Sequence, residues 1–298
     1  MTAPAPLAVS AVLAVHNEER FVRQCLTSLS AVADEILVAH DGPCADRSVD
    51  IAREFTPHVW THEPRGAPET HLIRLLRGAT HDWIVRLDCD ETFSPGLLAE
   101  LQAVKARGAD PDVTHYQAIW RAVYAARDEA PARPHEVANR TVLFRRSCAR
   151  WIGIPHALPE ISGSSRSIRE CVYHYAPHQH YRLRDLLAKK MQPFAKVDAA
   201  IRVKYPIDVF GYDGRPLEDV LRPLDRWRAE RPLLAAVPLA LRAGLGALGR
   251  VGAAGSITEL VRNLRWPVAH GAYQLMLAWE LHRLRGEGFA PRLASEAT

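Results

Sequence analysis

The sequence predicts an α/β fold in which helices cover both faces of a mainly parallel sheet, followed by a helical C-terminal extension. Strand-like and helix-like segments alternate through about the first hundred residues, as in right-handed β-α-β units. Three of the first four predicted strands end in polar clusters, which parallel pairing would bring to one edge of the sheet. Beyond residue 206, apolar residues recur at helical spacing to about residue 284.

The alternating part begins with AVSAVLAV, which predicts a buried first strand rather than a signal peptide because no basic segment precedes it. ERFVRQCLTSLSAV predicts a helix, DEILVAHD a second strand, and ADRSVDIAREF a helix with Asp46 as its N-cap. PHVWTHE, APETHLIRLLRGAT and DWIVRLD then predict a third strand, a third helix and a fourth strand. SPGLLAELQAVKARG predicts a further helix that ends at Gly108.

The pattern changes after Gly108. VTHYQAIWRAVY and NRTVLFRRS alternate like antiparallel strands, with RDEAPARPHEVA as a loop between them, and RECVYHYAP predicts another short strand. YRLRDLLAKKMQPFAKVDAAIRV predicts an amphipathic helix kinked at Pro193. The Pro- and Gly-containing segment YPIDVFGYDGRPLED indicates a boundary, which divides the chain into an α/β domain, residues 1–205, and a helical extension, residues 206–298.

Charge and cysteine content limit the function. The 298 residues carry a net charge of +4, which is too small to indicate nucleic-acid binding. Residues 221–298 contain 11 Arg, no Lys and 6 acidic residues, which fits either contact with an anionic membrane surface or a bundle packed on the rest of the chain. The five cysteines are scattered without a CxxC pair, so we expect a reducing, cytoplasmic location.

The stretch DWIVRLDCDETFS, residues 82–94, places a cluster of carboxylates directly after an apolar strand. Asp88 and Asp90 are two residues apart, so at a strand end both side chains can face one ion. Oxygen ligands suit Mg²⁺ or Mn²⁺, which typically bridge the phosphates of a bound nucleotide. The motif therefore predicts a divalent-metal site at the end of the fourth strand.

Three blocks follow one another along the chain: AVHNEERFVRQCLTSL, DEILVAHDGPCADRSVDIA and HDWIVRLDCDETFS. In this order they resemble the first strand with its Asn-Glu turn, the second strand with its acidic loop, and the DxD block of the family 2 glycosyltransferases, which have the GT-A (Rossmann-like) fold. The resemblance covers about residues 8–200. It implies inverting transfer of a sugar from a nucleotide-sugar donor with help from a divalent metal, Mg²⁺ or Mn²⁺, as in the synthesis of cell-envelope glycans.

The same resemblance implies roles for individual residues. Asn17, Glu18 and Asp41 would bind the donor, with Glu18 and Asp41 at its base or ribose. Asp90 would bind the metal, and Asp88 would face the metal or the ribose. The second block departs from the family pattern, because His40 replaces the first acidic residue and the loop is one residue longer. The base is therefore open, with a UDP-sugar favoured, and Asp46 could substitute for Asp41.

Basic side chains and histidines could complete the donor site. His174 corresponds to a strand-borne histidine that completes metal or pyrophosphate binding in related enzymes. Arg65, His71 and Arg74 precede the DxD strand, where a cation could meet the donor diphosphate; we assign Arg74 to donor binding. The alternative for each residue is an ordinary packed or solvated side chain.

An inverting transfer needs a general base for the acceptor hydroxyl. Related enzymes carry a His-Glu turn, but the corresponding stretch here is WIGIPHALPEIS, with His156 followed by Ala157. Glu160 is the nearest carboxylate. The base is therefore Glu160, His156 or a residue elsewhere in the chain, with Glu160 favoured because the family uses a carboxylate.

Two other classes of function remain open from the sequence. DCDET also fits the DxDxT motif of haloacid-dehalogenase-type phosphatases, although three β-α units precede it. The altered second block would also suit a relative that binds nucleotide-sugar or glycan without catalysis. For a transferase, the expected acceptor is a glycan, lipid-linked or small-molecule hydroxyl, and the expected location is the cytoplasm, with peripheral contact at the inner face of the membrane.

Overall fold

The structure, a computed structural model, describes residues 5–122, 138–155, 157–175, 182–212, 215–248 and 257–292. The strands are β1 (Val9–Val15), β2 (Glu35–Asp41), β3 (Val59–His62), β4 (Trp83–Arg86), β5 (Glu91–Phe93), β6 (Val113–Ala122), β7 (Ala138–Arg145), β8 (Ala149–Ile152), β9 (Glu160–Ile161), β10 (Ser164–His174) and β11 (Val209–Phe210). The helices are α1 (Glu19–Ser30), α2 (Ser48–Arg53), α3 (Leu72–Gly78), α4 (Pro95–Arg107), α5 (Leu183–Leu186), α6 (Gln192–Val203), α7 (Leu217–Val220), α8 (Pro223–Glu230), α9 (Pro232–Leu248) and α10 (Ile257–Gly286).

Eight strands form one mixed sheet in the order β3-β2-β1-β4-β7-β6-β10-β5. The pairs β1–β2, β1–β4 and β2–β3 are parallel, as predicted for the alternating part of the chain. The later strands add antiparallel pairs, β4–β7, β6–β7 and β5–β10, beside the parallel pair β6–β10. A second sheet has the order β11-β8-β9.

Both faces of the main sheet are covered, as the near-continuous apolar strands require. Along β1, Leu13 and its alternate neighbours pack in one apolar cluster with α1 and α4, whereas Val12 and Ala14 pack in another with α3. This period of two follows from strand geometry, since successive side chains point to opposite faces. The expected α/β class is confirmed.

Local differences from the sequence prediction have identifiable causes. β10 is longer than the predicted strand because it pairs with both β6 and β5. The predicted amphipathic helix contains a π-helical turn, Leu187–Met191, between α5 and α6. This turn lies just before Pro193, where the missing backbone N–H interrupts regular helix hydrogen bonding. Asp46 stands one residue before the N-cap of α2, and its Oδ1 accepts from the amide of Ser48 at 2.8 Å.

The chain divides into two compact units. One contains residues 1–176 and 209–213, and the other contains residues 177–208 and 214–298. This division differs from the boundary predicted after residue 205, because Ala195, Ala199 and Val203 of α6 pack with Tyr273 and Leu277 of α10 in one apolar cluster. The assignment of residues 1–205 to one folding domain stays a prediction.

None of the helices in the described part of the chain is both long enough and apolar enough to cross a membrane.

A buried polar network joins three helices of the second unit. Asp198, which is 1% exposed, accepts from Arg202 Nε at 2.6 Å and from the Tyr273 hydroxyl. Arg202 Nη1 also donates to Asp225 Oδ1 at 3.0 Å, and Arg228 donates to the same oxygen at 3.1 Å. A buried cation is tolerated only when its charge is paired, so Asp198 and Asp225 permit Arg202 to lie between the helices.

Replacement of Asp198 with alanine should destabilise the protein by about 3–5 kcal/mol, because Arg202 loses a buried partner. Asp185→Ala is the matched control, since Asp185 forms an exposed i,i+4 pair with Lys189 of the kind worth about 0.3–0.5 kcal/mol. Denaturant unfolding of both variants gives the two free energies. Equal losses would show that the Asp198 network adds nothing beyond a surface ion pair.

Candidate active site

The acidic turn after β4 is closed by Glu91. The amide of Asp88 donates to Glu91 Oε2 at 2.8 Å, and the amide of Glu91 donates to the Asp88 carbonyl at 3.0 Å. Trp120 Nε1 donates to Glu91 Oε1 at 2.8 Å. Since Glu91 is fully buried, it shapes the turn from inside and leaves Asp88 and Asp90 as the more accessible carboxylates.

Two arginines hold the Asp88 carboxylate. Arg140 of β7 places Nη2 2.9 Å from Asp88 Oδ2 and Nη1 2.9 Å from Glu91 Oε1. Arg86 of β4 donates to Asp88 Oδ1 at 2.7 Å, and its guanidinium lies 4.9 Å from the ring centre of Trp151. Each Asp88 oxygen is therefore paired with a cation, while the side chain keeps 45% of its surface exposed.

Asp88 and Glu91 respond in opposite ways to this environment. Loss of solvent raises the pKa of Asp88, but the charges of Arg140 and Arg86 outweigh it and hold that pKa well below its usual range. Burial raises the pKa of Glu91 to about 7, with Arg140 opposing and the Asp88 charge reinforcing the shift. Asp88 is therefore ionised at neutral pH, and the charge on Glu91 depends on Arg140 beside it.

Asp90 and His174 form a pair at the open side of the turn. His174 Nε2 lies 3.1 Å from Asp90 Oδ2. Antiparallel pairing of β10 with β5 sets His174 opposite Glu91, and the amide of Tyr175 donates to the Asp90 carbonyl at 2.8 Å. The His174 ring also lies 4.5 Å from the ring of Trp120. The sheet register thus brings together two predicted metal ligands that are 84 residues apart.

The Asp90–His174 pair is chemically suited to a divalent cation. Carboxylate oxygens suit Mg²⁺ and Mn²⁺, and imidazole is the commonest nitrogen ligand of transition metals, so the pair suits Mn²⁺ better than Mg²⁺. Among the residues that the structure describes, no three His, Cys, Asp or Glu side chains form a group that could hold a metal. Cations of this kind commonly complete their coordination with water and substrate phosphates.

The ends of β1 and β2 are joined by a set of hydrogen bonds. His16 Nδ1 donates to the Asp41 carbonyl at 2.5 Å, and the amide of Asn17 donates to His40 Nε2 at 3.2 Å. Asn17 has φ of 52° and its Oδ1 accepts from the amide of Ala45 at 2.7 Å. Asparagine tolerates this left-handed conformation better than most residues. Asn17 therefore fixes the turn, and its predicted contact with the donor stays a prediction.

His40, which replaces the usual acidic residue, is fully buried and bonded within the chain. Its Nδ1 donates to the Gly42 carbonyl at 2.7 Å, so Nε2 is the nitrogen that accepts from Asn17. Gly42 has φ of +78°, and a Cβ there would lie 2.8 Å from Pro64. The substitution at position 40 therefore exchanges a carboxylate for a neutral ring that ties two strand ends together.

The Glu18 carboxylate interacts electrostatically with the acidic turn. Burial raises its pKa to about 7; the His16 amide opposes this shift, and the charges of Asp90 and Asp88 reinforce it. The amide of His16 donates to Glu18 Oε2 at 3.2 Å, and the amide of Glu18 donates to Ser48 Oγ at 2.7 Å. The predicted convergence of the β1 and β4 ends is thus present in the structure.

Asp41 is fully buried and already accepts three hydrogen bonds. The amides of Arg65 and Gly66 donate at 2.6 Å and 2.8 Å, and His71 Nε2 lies 2.9 Å from Oδ1. Burial raises the pKa of Asp41, but the bonds from His71 and the two amides outweigh it and leave the pKa below its usual value. In this structure the Asp41 carboxylate holds the segment after β3 through these hydrogen bonds. Its predicted contact with the base or ribose of the donor stays a prediction.

Arg74 is exposed on α3, with Nη1 3.4 Å from His62 Nδ1. His62 stacks on His71 with ring centres 4.9 Å apart. The chain of contacts from Arg74 through His62 and His71 therefore reaches Asp41 at the end of β2. The Arg74 guanidinium is therefore linked to the end of β2. Its role in donor binding stays a prediction.

Glu160, the predicted general base, lies in the second sheet. Glu160 is exposed on β9, opposite Arg150 of β8, and accepts from the Tyr212 hydroxyl at 3.4 Å. Strand alternation puts Glu160 on the other face of this small sheet from Trp151, whose ring contacts Arg86. His156, the second candidate, lies outside the described residues.

Sequence reasoning missed Arg140, Arg86 and Trp120 as parts of the site. Arg86 carried a signal, because it is one charged residue inside the apolar strand segment IVRL, and an arginine buried there needs a carboxylate. Arg140 and Trp120 carried none, since NRTVLF and AIWRA read as ordinary strands. Their roles follow from the pairing of β7 with β4 and β6.

A mixed α/β sheet with an acidic turn after a central strand, and a histidine brought to that turn from a late strand, defines a GT-A-type fold. The family described as "Glycosyl transferase family 2" matches residues 10–173, more than half of the chain. The chain belongs to this family, which confirms the resemblance found in the sequence.

Solved structures with similar folds are distant in sequence. A mannosyltransferase from Pyrobaculum calidifontis, solved with GDP-Man and Mn²⁺, is 16% identical, with 94% of this chain and 88% of that chain covered and a TM-score of 0.43. S. aureus TarS residues 1–349 in complex with UDP is 10% identical, with coverages of 95% and 92% and a TM-score of 0.42. Against a longer S. aureus TarS chain, 12% identical with a TM-score of 0.40, the match covers 88% of this chain but only 55% of that chain.

Arg140 and Glu91 should be energetically coupled. Arg140→Met leaves buried Glu91 without its cation and should cost about 3–5 kcal/mol of stability. The loss of stability caused by Arg140→Met should be about 1–3 kcal/mol smaller in a Glu91→Gln background, because the glutamine amide has no charge that would be left unpaired. Urea unfolding of the four proteins in the cycle measures this coupling.

Arg145→Met is the matched control on the same strand, since Arg145 is 42% exposed and 3.6 Å from Asp82. It should change stability by less than about 1 kcal/mol and show no coupling to Glu91. Additive effects of Arg140→Met and Glu91→Gln would contradict the bridging role of Arg140.

Proposed function

We propose that this chain is a divalent-metal-dependent, inverting glycosyltransferase that moves a sugar from a nucleotide-sugar donor to an acceptor hydroxyl. The observation that carries the proposal is the Asp90–His174 pair, 3.1 Å apart, beside an Asp88 carboxylate that two arginines hold ionised. Membership of glycosyl transferase family 2 supports the reaction class and sets aside the DxDxT phosphatase alternative.

Asp90 and His174 are the residues that would hold the cation, with the donor diphosphate and water as its other ligands. A bound cation of this kind acts as a Lewis acid that stabilises charge developing on the leaving diphosphate. Asp88, already neutralised by Arg86 and Arg140, is suited to accept a hydrogen bond from a ribose hydroxyl rather than to add charge to the metal. Arg74 is suited to meet a phosphate from the β2 side.

The nucleotide is proposed to be uridine-based, with Glu18 and Asp41 near the base or ribose. Burial of His40 and Asp41 supports a different pattern of base contacts from that of the usual acidic pair. Asn17 and Glu18 then become the more accessible polar side chains at that end of the sheet. The proposed acceptor is a glycan or lipid-linked hydroxyl of the cell envelope, reached from the cytoplasmic side with peripheral contact at the membrane.

A thermal-shift panel tests the donor and the metal together. UDP, GDP, CDP and their sugar conjugates are each added with Mn²⁺, Mg²⁺ or EDTA. The nucleotide that binds raises the midpoint temperature of thermal unfolding by mass action. We expect UDP compounds with Mn²⁺ to give the largest shift. A shift of equal size for every base, or one unaffected by EDTA, would contradict the proposal.

Asp90→Asn should abolish the Mn²⁺-dependent shift and lower kcat/KM about a hundredfold or more, because stabilisation of the leaving group by a bound metal is worth several kcal/mol. The fold should survive, since Asp90 lies at the open side of the turn with 22% of its side chain exposed. Asp50→Asn, an exposed change on α2, is the control. Donor hydrolysis and transfer are measured for both.

A second candidate function is nucleotide-sugar or glycan binding without catalysis, which the internally bonded His40–Asp41 pair favours. A binder would hold the donor unchanged, whereas a transferase slowly hydrolyses it in the absence of acceptor. Release of free sugar from wild type but not from Asp90→Asn would exclude the binder. Donor binding with no release would favour it.

Glu160 is the proposed general base, with His156 as the alternative. Glu160→Gln should lower the transfer rate about a hundredfold to ten-thousandfold while leaving donor affinity unchanged, because the base acts on the acceptor. Tyr212→Phe removes only the hydroxyl that donates to Glu160 and should have a small effect. Full activity in Glu160→Gln, with an inactive His156→Ala of normal donor affinity, would move the role to His156.

A further inference from the structure

Among the residues of α9 and α10 whose side chains the structure describes, nine large apolar ones are exposed. They are Leu233, Leu234, Val237, Leu241 and Leu245 on α9, and Leu264, Val268, Leu275 and Trp279 on α10, which we call the α9–α10 face. Their exposed fractions run from 37% for Leu264 to 65% for Leu245. Single exposed leucines are ordinary, but a contiguous group of this size marks an interaction surface.

On α9 the exposed apolar residues form one stripe. At ~100° per residue, the five side chains from Leu233 to Leu245 fall within an arc of about 120°. Ala235, Ala236 and Leu239 lie on the opposite arc and are buried. The helix therefore has two apolar faces, one packed within the unit and one open.

On α10 the stripe is narrower and longer. Leu264, Val268, Leu275 and Trp279 fall within an arc of about 60° and extend over about 22 Å of helix. The buried residues Tyr273, Leu277, Leu281 and Leu284 point away from this arc and pack with α6. Trp279 is 60% exposed near the end of the stripe.

The two stripes lie on the same side of the helix pair. A Cβ at Gly244 would lie 3.8 Å from the Pro267 carbonyl, and one at Gly271 would lie 3.4 Å from the Ala240 carbonyl. Residues 240 and 244 thus oppose residues 271 and 267, so the helices run antiparallel in close contact. In each helix the centre of the open stripe lies about 70° beyond the line of contact in the direction of the helical turn. In an antiparallel pair this direction leads to the same side.

The charges around the α9 half of the α9–α10 face are positive. Residues 231–258 contain no acidic residue, while Arg231 and Arg242 flank and interrupt the apolar residues of α9. Arg242 is exposed and lies at the edge of the α9 stripe. An apolar surface bordered by arginines, with a tryptophan near one end, matches the chemistry of an anionic lipid interface, where apolar side chains enter the acyl boundary and arginines reach the headgroups.

We propose that the α9–α10 face docks in the plane of an anionic lipid bilayer, with both helices parallel to the surface. Charge complementarity favours lipid over a second copy of the chain, since two copies would bring the same arginines together. This inference names the surface for the membrane contact proposed above. It does not depend on sugar transfer, because vesicle binding involves no turnover.

Flotation of the full chain with vesicles tests the proposal. Vesicles of 30% phosphatidylglycerol in phosphatidylcholine should carry the protein upward at low salt, and pure phosphatidylcholine vesicles should carry much less. Leu241→Ser with Leu245→Ser, or Leu275→Ser with Trp279→Ser, should each weaken binding by about a hundredfold. These side chains are exposed, so the thermal midpoint should stay near that of wild type.

Leu158→Ser is the matched control, because Leu158 is 66% exposed in the other unit and the chemical change is the same. It should bind vesicles like wild type. Trp fluorescence gives a second readout: anionic vesicles should shift the emission to shorter wavelength, and Trp279→Phe should remove most of that shift.

Four results would overturn the proposal. The first three are no flotation of wild type with anionic vesicles, equal binding by wild type and both double variants, and equal loss of binding in Leu158→Ser. The fourth is that sedimentation velocity shows a wild-type dimer, which the Leu241→Ser, Leu245→Ser protein does not form, while neither protein binds vesicles. That outcome would assign the face to a second copy of the chain.

Discussion

The arrangement of the site depends on one guanidinium, that of Arg140. Four carboxylates, those of Glu18, Asp88, Asp90 and Glu91, lie near one end of the sheet, and Glu91 is fully buried there. Arg140 forms ion pairs with both Asp88 and Glu91 and is itself 16% exposed. Without this cation, the carboxylates would repel one another at short range, because little solvent is present there to screen their charges. The acidic turn can therefore keep its shape only while β7 stays paired with β4.

This constraint explains why the sheet is mixed. The parallel strands β1, β2 and β4 bring their polar ends to one edge, but no residue in them supplies a nitrogen ligand beside Asp90. Strands β6, β7 and β10 add Trp120, Arg140 and His174 to the same place. The early strands thus supply the negative charge and one neutralising cation, Arg86 of β4. The later strands supply the other groups that neutralise and orient that charge.

The features that the sequence predicts arise from residues close together in the chain, whereas those it does not predict depend on contacts between distant residues. Strands β1 to β4, the helices between them and the position of the acidic turn follow from local periodicity and turn chemistry. Arg140 could not be predicted, because its role depends on a register between strands more than 50 residues apart. His40 was noticed as a departure, but its bonds to Gly42 and Asn17 needed two strand ends in contact. The sequence predicts that the extension is helical. It does not predict that the exposed apolar stripes of α9 and α10 lie on one side of the helix pair, because this depends on the close approach of the helices at Gly244 and Gly271.

The three hydrogen bonds to Asp41 have a kinetic consequence. Asp41 is fully buried, so any nucleotide base that bonds to its carboxylate must reach it past the amides of Arg65 and Gly66 and the side chain of His71. Those donors belong to the segment between β3 and α3, so occupancy by such a base is tied to displacement of that segment. Association would then proceed in two stages, with a second stage whose rate reaches a plateau as ligand concentration rises. A base read only through Asn17 and Glu18 would show a single, linear stage.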